Sequence, residues 1–183
     1  MTERVAIIGA GPLGRWLALA AARAGFGALL EDVMPANLHH AQEWLRRELG
    51  PLALPNVAFV STIEDAVREA DLAIDCVPDE LESKLEIFWL LDRMAPPHTV
   101  LATPTTNLSI ADLADCTYRP DKCVAIAAGA RELTGNAAAG GGRIVLRTTA
   151  KTSSESIAFV TRFWRCLGFM PVVECEGAVP GLA

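Results

Sequence analysis

Three glycines and one acid are the first residues of this chain whose types and spacing suit chemistry. Gly9, Gly11 and Gly14 stand in GAGPLG, directly after the apolar run VAII (5–8). The first glycine permits a tight turn, the second lets backbone approach a ligand, and the third lets a helix pack close to the strand. Pro12 and Leu13 open that helix, whose free N–H groups and positive dipole end attract a phosphate. Asp32 follows 18 residues past Gly14, at the end of GALLED (27–32). An acid there accepts hydrogen bonds from the ribose hydroxyls of an adenosine. Such charge-assisted bonds are worth about 1.5–3 kcal/mol. The same carboxylate repels a 2′-phosphate and no arginine adjoins it, so the pattern points to NAD over NADP.

A second stretch has the opposite character. DKCVAIAAGA (121–130) reads as a buried strand, 123–127, that opens into Ala127, Ala128, Gly129 and Ala130. Ligands gather at the carboxyl ends of strands in an open α/β sheet, so polar groups are expected where this chain has small apolar ones. The three histidines do not fill the gap. His98 begins a strand and so lies at its wrong end, while His39 and His40 fall on a helix on the adenosine side, where they read as solvated. Arg131 and Glu132 are near in sequence and read as charges of a surface loop.

The elements that must position these residues alternate along the chain. VAII, GALLED, VAFV (57–60), DLAIDCV (71–77), TVLAT (99–103), CVAIA (123–127), RIVLRT (143–148) and PVVEC (171–175) read as strands. Helices separate most of them. The first carries Leu13, Leu17, Ala20 and Ala21 on one face. The second runs from Pro35, with Leu38, Ala41, Leu45 and Leu49 inward, and stops at Gly50. Thr62 and Asp65 stand in a capping-box relation ahead of the third. The fourth runs from about Glu80 to Met94, before Pro96 and Pro97. A short helix falls near Ile110–Leu113, and TSSE (152–155) caps a last one carrying Ile157, Val160, Phe163 and Leu167. GNAAAGGG (135–142) reads as a loop, either a plain connector or a flap over a pocket. The alternation predicts a single α/β domain of Rossmann type, a doubly wound and mostly parallel sheet.

Composition sets the outer bounds. The 183 residues suffice for one well-buried domain, and 51% hydrophobic with 21% charged residues describes a globular chain. A net charge of −6 argues against nucleic acid and anionic membrane surfaces as partners. Five cysteines form no CxxC pair and read as reduced thiols, which with the lack of a membrane span or secretory signal points to the cytoplasm. The spacing of His, Cys, Asp and Glu suggests no metal site.

The stretch DLAIDCVPDELESKLEIFWLLDRMAPPHTVLATPTTNLSIADLA (71–114) resembles the 3-hydroxyacyl-CoA dehydrogenases. That family writes it D-L-V-[IV]-E-A-[IV]-x-E-x-x-x-x-K, then a helix, then [FL]-A-S-N-T-S-S-L. The resemblance extends from VAIIGAGPLG to the terminal VPG. It implies an NAD-binding Rossmann domain, followed in the family by a helical domain that completes an acyl-CoA cleft and usually the dimer. It also implies a cofactor lined by Gly9, Gly11, Pro12, Leu13, Gly14, Asp32, Val77, Pro78, Asp79, Lys84, Pro104 and Thr106. Asp79 replaces the family's glutamate near the nicotinamide, and Lys84 matches its lysine. Thr106 falls on the catalytic-site serine, and Pro104 replaces an asparagine. Trp16 replaces a glycine and either packs outward or crowds the nucleotide. RPDKCVAIA aligns with R-x-x-[RK]-F-x-G-x-H, so the catalytic histidine is here Ala127. Its glutamate partner falls near Leu146.

The expectation is therefore an NAD-binding relative of an oxidoreductase of fatty acid metabolism that lacks its catalytic residues and does not turn over alone. Two alternatives stand beside it: an NAD(H)-dependent regulatory module that docks on a partner, and one half of a split dehydrogenase. Homo-oligomerisation or a helical partner chain is expected, with a dinucleotide as the small-molecule ligand and acyl-CoA as a second.

Overall fold

The computed structural model describes residues 2–138 and 142–177. Among these residues, eight strands form one sheet: β1 (Arg4–Ile8), β2 (Gly27–Glu31), β3 (Val57–Val60), β4 (Leu72–Asp75), β5 (Val100–Pro104), β6 (Cys123–Ile126), β7 (Arg143–Thr148) and β8 (Met170–Cys175). Their order is β3-β2-β1-β4-β5-β6-β7-β8. The chain runs outward from β1 to β3, returns to β4 and runs outward the other way. The resulting switch point lies between β1 and β4, where a ligand crevice opens at the carboxyl ends.

Among the described residues, seven α-helices cover the two faces: α1 (Pro12–Arg23), α2 (Pro35–Ala53), α3 (Ile63–Val67), α4 (Leu81–Met94), α5 (Ile110–Asp115), α6 (Ala130–Ala138) and α7 (Ser154–Cys166). One face buries Ile7, Leu17, Leu30, Leu45, Ile126, Leu133, Phe163 and Trp164 beneath α1, α2, α6 and α7. The other buries Ile8, Phe88, Leu91, Leu101, Ile110 and Leu113 beneath α3, α4 and α5. Each such side chain contributes roughly 1.5–3 kcal/mol when fully buried. Because both faces are covered, the central strands are apolar throughout instead of alternating.

Local signals place the helix starts. The Thr62 hydroxyl accepts the Asp65 N–H at 3.2 Å and donates to the Asp65 carboxylate at 2.8 Å, fixing the start of α3. Ser109 accepts from Asp112 at the start of α5, and Ser153 accepts from Ser156 at the start of α7. Each satisfies one of the N–H groups that a helix leaves without an internal acceptor.

Three elements differ from the sequence reading. α2 does not stop at Gly50 but continues to Ala53. The segment read as a loop from 135 begins inside a helix, since α6 spans Ala130–Ala138 and puts Arg131 and Glu132 in its first turn. Residues 139–141 of that stretch, and the terminal VPG, lie outside the described residues. Finally β7 pairs with β6 antiparallel, and β8 follows β7 parallel, so two of the eight strands run against the rest.

Candidate functional site

The turn between β1 and α1 is built on three different demands. Gly9 has φ of +104°, a conformation that side chains disfavour, and its N–H donates to the carbonyl of Glu31 at 2.9 Å. A Cβ on Gly14 would lie 1.8 Å from the carbonyl oxygen of Gly9, so helix and turn touch only because it is absent. A Cβ on Gly11 would meet nothing within 4 Å. No protein contact demands that glycine, and its Cβ position faces open space. In the first turn of α1, Pro12 carries no N–H and the Arg15 N–H already bonds Gly11. The N–H groups of Leu13 and Gly14 precede the first intrahelical bonds and are open to an anion.

Asp32 holds this turn as well as facing it. Its Oδ2 accepts the Ala10 N–H at 2.8 Å, its Oδ1 accepts the Met34 N–H at 2.8 Å, and the Asn37 amide donates to both oxygens at 3.1 Å. It is 8% exposed. The sequence reading gave Asp32 only the ribose role. The structural role was missed, and Asn37 was not singled out at all, although an Asp–x₄–Asn spacing into a helix start was visible. The turn, the α1 terminus and the acid together fit the adenosine and pyrophosphate of a dinucleotide.

On the other side of the switch point, Lys84 reaches from α4 into the interior. Its Nζ donates to Asp75 Oδ2 at 3.1 Å and to Thr103 Oγ1 at 2.8 Å, with the Val77 carbonyl at 3.4 Å. Lys84 is 1% exposed and Asp75 fully buried. Burial pushes the Asp75 carboxyl up, against the pull of Lys84 and of the Val77 N–H. Lys84 therefore does not present its ammonium to a ligand, contrary to the expectation of direct cofactor contact. It fixes the Val77–Asp79 segment from below. Val77 is half-buried and Pro78 exposed at the rim.

Asp79 and Thr106 meet across β4 and β5. The Thr106 N–H and hydroxyl donate to Asp79 Oδ2 at 3.0 and 3.1 Å. Partial burial raises the Asp79 carboxyl, but hydrogen bonds from Thr105 and Thr106, with the Lys84 charge, outweigh this and hold it below the usual carboxylate range. Pro104 ends β5 and is buried, so it offers neither donor nor surface.

Beyond them lies the apolar end of β6. The Ala127 N–H donates to the Val145 carbonyl at 2.8 Å, and Ile126 stands opposite Leu146. Position 145 thus shares the face of Ala127. Leu146 points to the opposite face, into the core with Ile126, which corrects its placement as the partner of position 127. Arg147, opposite Ala125, grips the β5–α5 loop through the carbonyls of Thr105 and Thr106 at 3.0 and 3.1 Å. His98 lies at the amino end of the sheet near Asp71, and His39 and His40 are exposed on α2. None stands near Ala127.

Trp16 is half-buried and packs against the core. Its ring stacks on Trp164 at 6.5 Å between centroids and meets Phe169 edge-on at 6.0 Å. Of the cysteines, only Cys123 is buried, and burial pushes its thiol up to about 12. Cys166 and Cys175 are exposed. Among the described residues, no helix is long and apolar enough to cross a membrane.

This arrangement has close counterparts. The description "3-hydroxyacyl-CoA dehydrogenase, NAD binding domain" matches residues 4–127. A probable 3-hydroxybutyryl-CoA dehydrogenase of Bacillus subtilis is 30% identical over 135 residues, covering 67% of this chain and 47% of its own. A 5-formyl-3-hydroxy-2-methylpyridine 4-carboxylate 5-dehydrogenase of Mesorhizobium japonicum is 29% identical over 192 residues, covering 99% and 60%. The solved 3-hydroxyacyl-CoA dehydrogenase of Archaeoglobus fulgidus superposes with a TM-score of 0.79 at 25% identity, covering 97% of this chain and 58% of that one. The chain thus spans about half the length of the relatives it matches, and NAD is the cofactor of the matching domain. On the match over residues 4–127, the chain belongs to the 3-hydroxyacyl-CoA dehydrogenase family, as its NAD-binding domain.

Proposed function

We propose that this chain binds NAD(H) across Gly9–Gly14 and Asp32, with the nicotinamide toward Val77, Pro78, Asp79 and Thr106, and does not by itself turn over a 3-hydroxyacyl-CoA. The observation that carries this is the contrast along the carboxyl end of the sheet. The adenosine side keeps an open glycine turn, free helix N–H groups and an acid, while β6 leads directly into Ala127 with Val145 across from it. When bound, the nicotinamide supplies the hydride donor or acceptor. Exchange of a hydride with a hydroxyl carbon also needs a group that takes the hydroxyl proton, and a positioned base contributes about 10²–10⁴-fold. Asp79 is a poor candidate, because its hydrogen bonds hold it in the ionised form and weaken it as a base. Thr106 is left to orient an oxygen, not to accept its proton.

Titration calorimetry with the purified chain tests this. NADH is expected to bind more tightly than NADPH, with no NADH oxidation above background on adding acetoacetyl-CoA. Equal or tighter NADPH binding would sink the first half. Robust turnover that Thr106→Val abolishes would sink the second.

A second reading is favoured by the surface of α4. Leu81, Trp89 and Met94 are exposed there, with Tyr118 beside the neighbouring loop at 91% exposure. Apolar groups so displayed suit an NAD(H)-loaded module that docks on a partner chain, including one that supplies the rest of an acyl-CoA cleft.

A further inference from the structure

Two acids flank Ile8 at the floor of the crevice, Asp75 with a fully buried carboxyl and Glu31 with one that still meets solvent. β1 sets Ile8 level with Glu31 of β2 on one side and with Asp75 of β4 on the other. Residues level across strands share a sheet face, so both acids point with Ile8 into the layer beneath α3 and α4. At about 4.8 Å per strand they stand roughly 10 Å apart. Their surroundings differ sharply. Asp75 has Lys84, Thr103 and the Val77 N–H. Glu31 is 5% exposed as a residue; among the described residues its carboxyl has no hydrogen-bond or ion-pair partner, and its oxygens keep contact with solvent. Water alone satisfies that carboxyl, so anything that covers the crevice there removes the solvation of its charge.

The carbonyl of Glu31 holds the Gly9 N–H, and the next side chain, Asp32, holds the Ala10 N–H. Glu31 is therefore fastened to the turn that would carry the pyrophosphate, one residue before the ribose acid. We propose that Glu31 is a specificity-determining residue of the nucleotide site: it takes up a proton as the dinucleotide binds, and in its ionised form it acts with Asp32 against a 2′-phosphate. The proposal rests on the NAD(H) reading above.

The sign follows from electrostatics. A dinucleotide brings negative phosphates to the turn and removes water from above Glu31, and both disfavour its charged form. Burial already pushes this carboxyl up to about 7 in the free protein, with the Asp32 charge adding to it. Affinity must then rise as pH falls, by at most tenfold per unit for one proton. Other titratable groups surround the crevice. α3 brings Glu64 and Asp65, the latter engaged by Arg68. α2 brings His39, paired with Glu43, and His40; α1 brings Arg15, over the Trp44 ring. Asp75 with Lys84, and Asp79, lie across β1. None pairs with Glu31, and all remain in E31Q.

NADH and NADPH affinities of the wild-type chain and of Glu31→Gln, measured by calorimetry at pH 6, 7 and 8 in two buffers of different ionisation heat, test this. Wild type should lose NADH affinity several-fold from pH 6 to 8 and take up part of a proton near pH 7. E31Q should show a flat profile and no uptake. Its preference for NADH over NADPH should match wild type at pH 6 and narrow several-fold at pH 8. A slope retained in E31Q assigns the proton to another group and overturns the proposal, as does a flat wild-type profile with NADH still bound; both leave the NAD(H) reading intact. No binding by either chain at any pH overturns both. Should E31Q fail to fold, a carbon-13 titration of the wild-type glutamate carboxyls decides: one midpoint should move up on adding NADH, and no movement despite shifted glycine-turn amides overturns the proposal.

Discussion

A methyl group at Gly14 would lie 1.8 Å from the Gly9 carbonyl oxygen, whereas one at Gly11 would meet no protein atom within 4 Å. Two residues of one motif therefore answer to different forces, the first to packing and the second to whatever lies on the turn. Gly14→Ala forces α1 away from the strand and should cost ~1–3 kcal/mol, the range of overpacked cores. Gly11→Ala places a methyl at the cap of α1 in extended backbone, at a cost of about 1 kcal/mol or less. Thermal unfolding should separate them, with Gly14→Ala clearly lowered and Gly11→Ala close to wild type. NADH titration should show the reverse emphasis, Gly11→Ala losing at least tenfold in affinity while still folded. A Gly11→Ala chain that binds like wild type would place the nucleotide elsewhere. Asp32 is a mixed case, since removing it also strands the buried Ala10 N–H, and its variants report on fold and ligand together.

At the scale of elements, register decides what a repaired site needs. Ala127 stands across from Val145, and Leu146 faces the core. A histidine at 127 requires a partner to fix its tautomer, and a glutamate can supply it only from the same face. Ala127→His with Val145→Glu is therefore expected to exceed either single change in NADH oxidation with acetoacetyl-CoA, though both should remain far below a complete dehydrogenase. Leu146→Glu should instead lower the melting temperature sharply, because it buries an unpaired charge. Equal behaviour of the 145 and 146 variants would show the register to be wrong. Much of this sheet was legible: runs such as VAII and LAID are buried on both faces and need no partner information to be recognised. The direction of β7 was not, because RIVLRT has the same residues whichever way it pairs. Neither was α6, whose ARELTGNAA holds Thr, Gly and Asn, poor helix formers that tertiary packing of Leu133 overrides. The glycine turn was legible as a motif, but the unpaired state of Glu31 and the burial of Lys84 depend on which strands lie side by side.

For the whole molecule, the buried acids make folding itself a function of pH. Glu31 goes from an ordinary value of 4.5 to about 7 on folding, through burial first and the Asp32 charge second. Below pH 4.5 the carboxyl is protonated in both states, and the stability it permits is fully present. As pH rises from there toward 7, the unfolded chain ionises while the folded chain does not, so the unfolded state gains and stability is lost. Above about 7 both are ionised and the loss is complete. Asp79 works in the opposite direction: its carboxyl is held low, so its contribution is present above the usual carboxylate range and is lost as pH falls into acid. The Lys84–Asp75 pair complicates the acid limb, because protonating Asp75 would leave a buried lysine without its partner. Asp75 keeps its Lys84 partner in both chains, so the difference between wild type and Glu31→Gln from pH 5 to pH 8 isolates the Glu31 carboxyl. The melting temperature of the wild-type chain, without nucleotide, should therefore fall across that interval. Glu31→Gln should fall less and lie above wild type at pH 8, where wild type carries the buried charge and the variant does not. Parallel melting curves for the two chains from pH 5 to 8 would show that the Glu31 carboxyl is solvated enough to ionise freely in the folded protein.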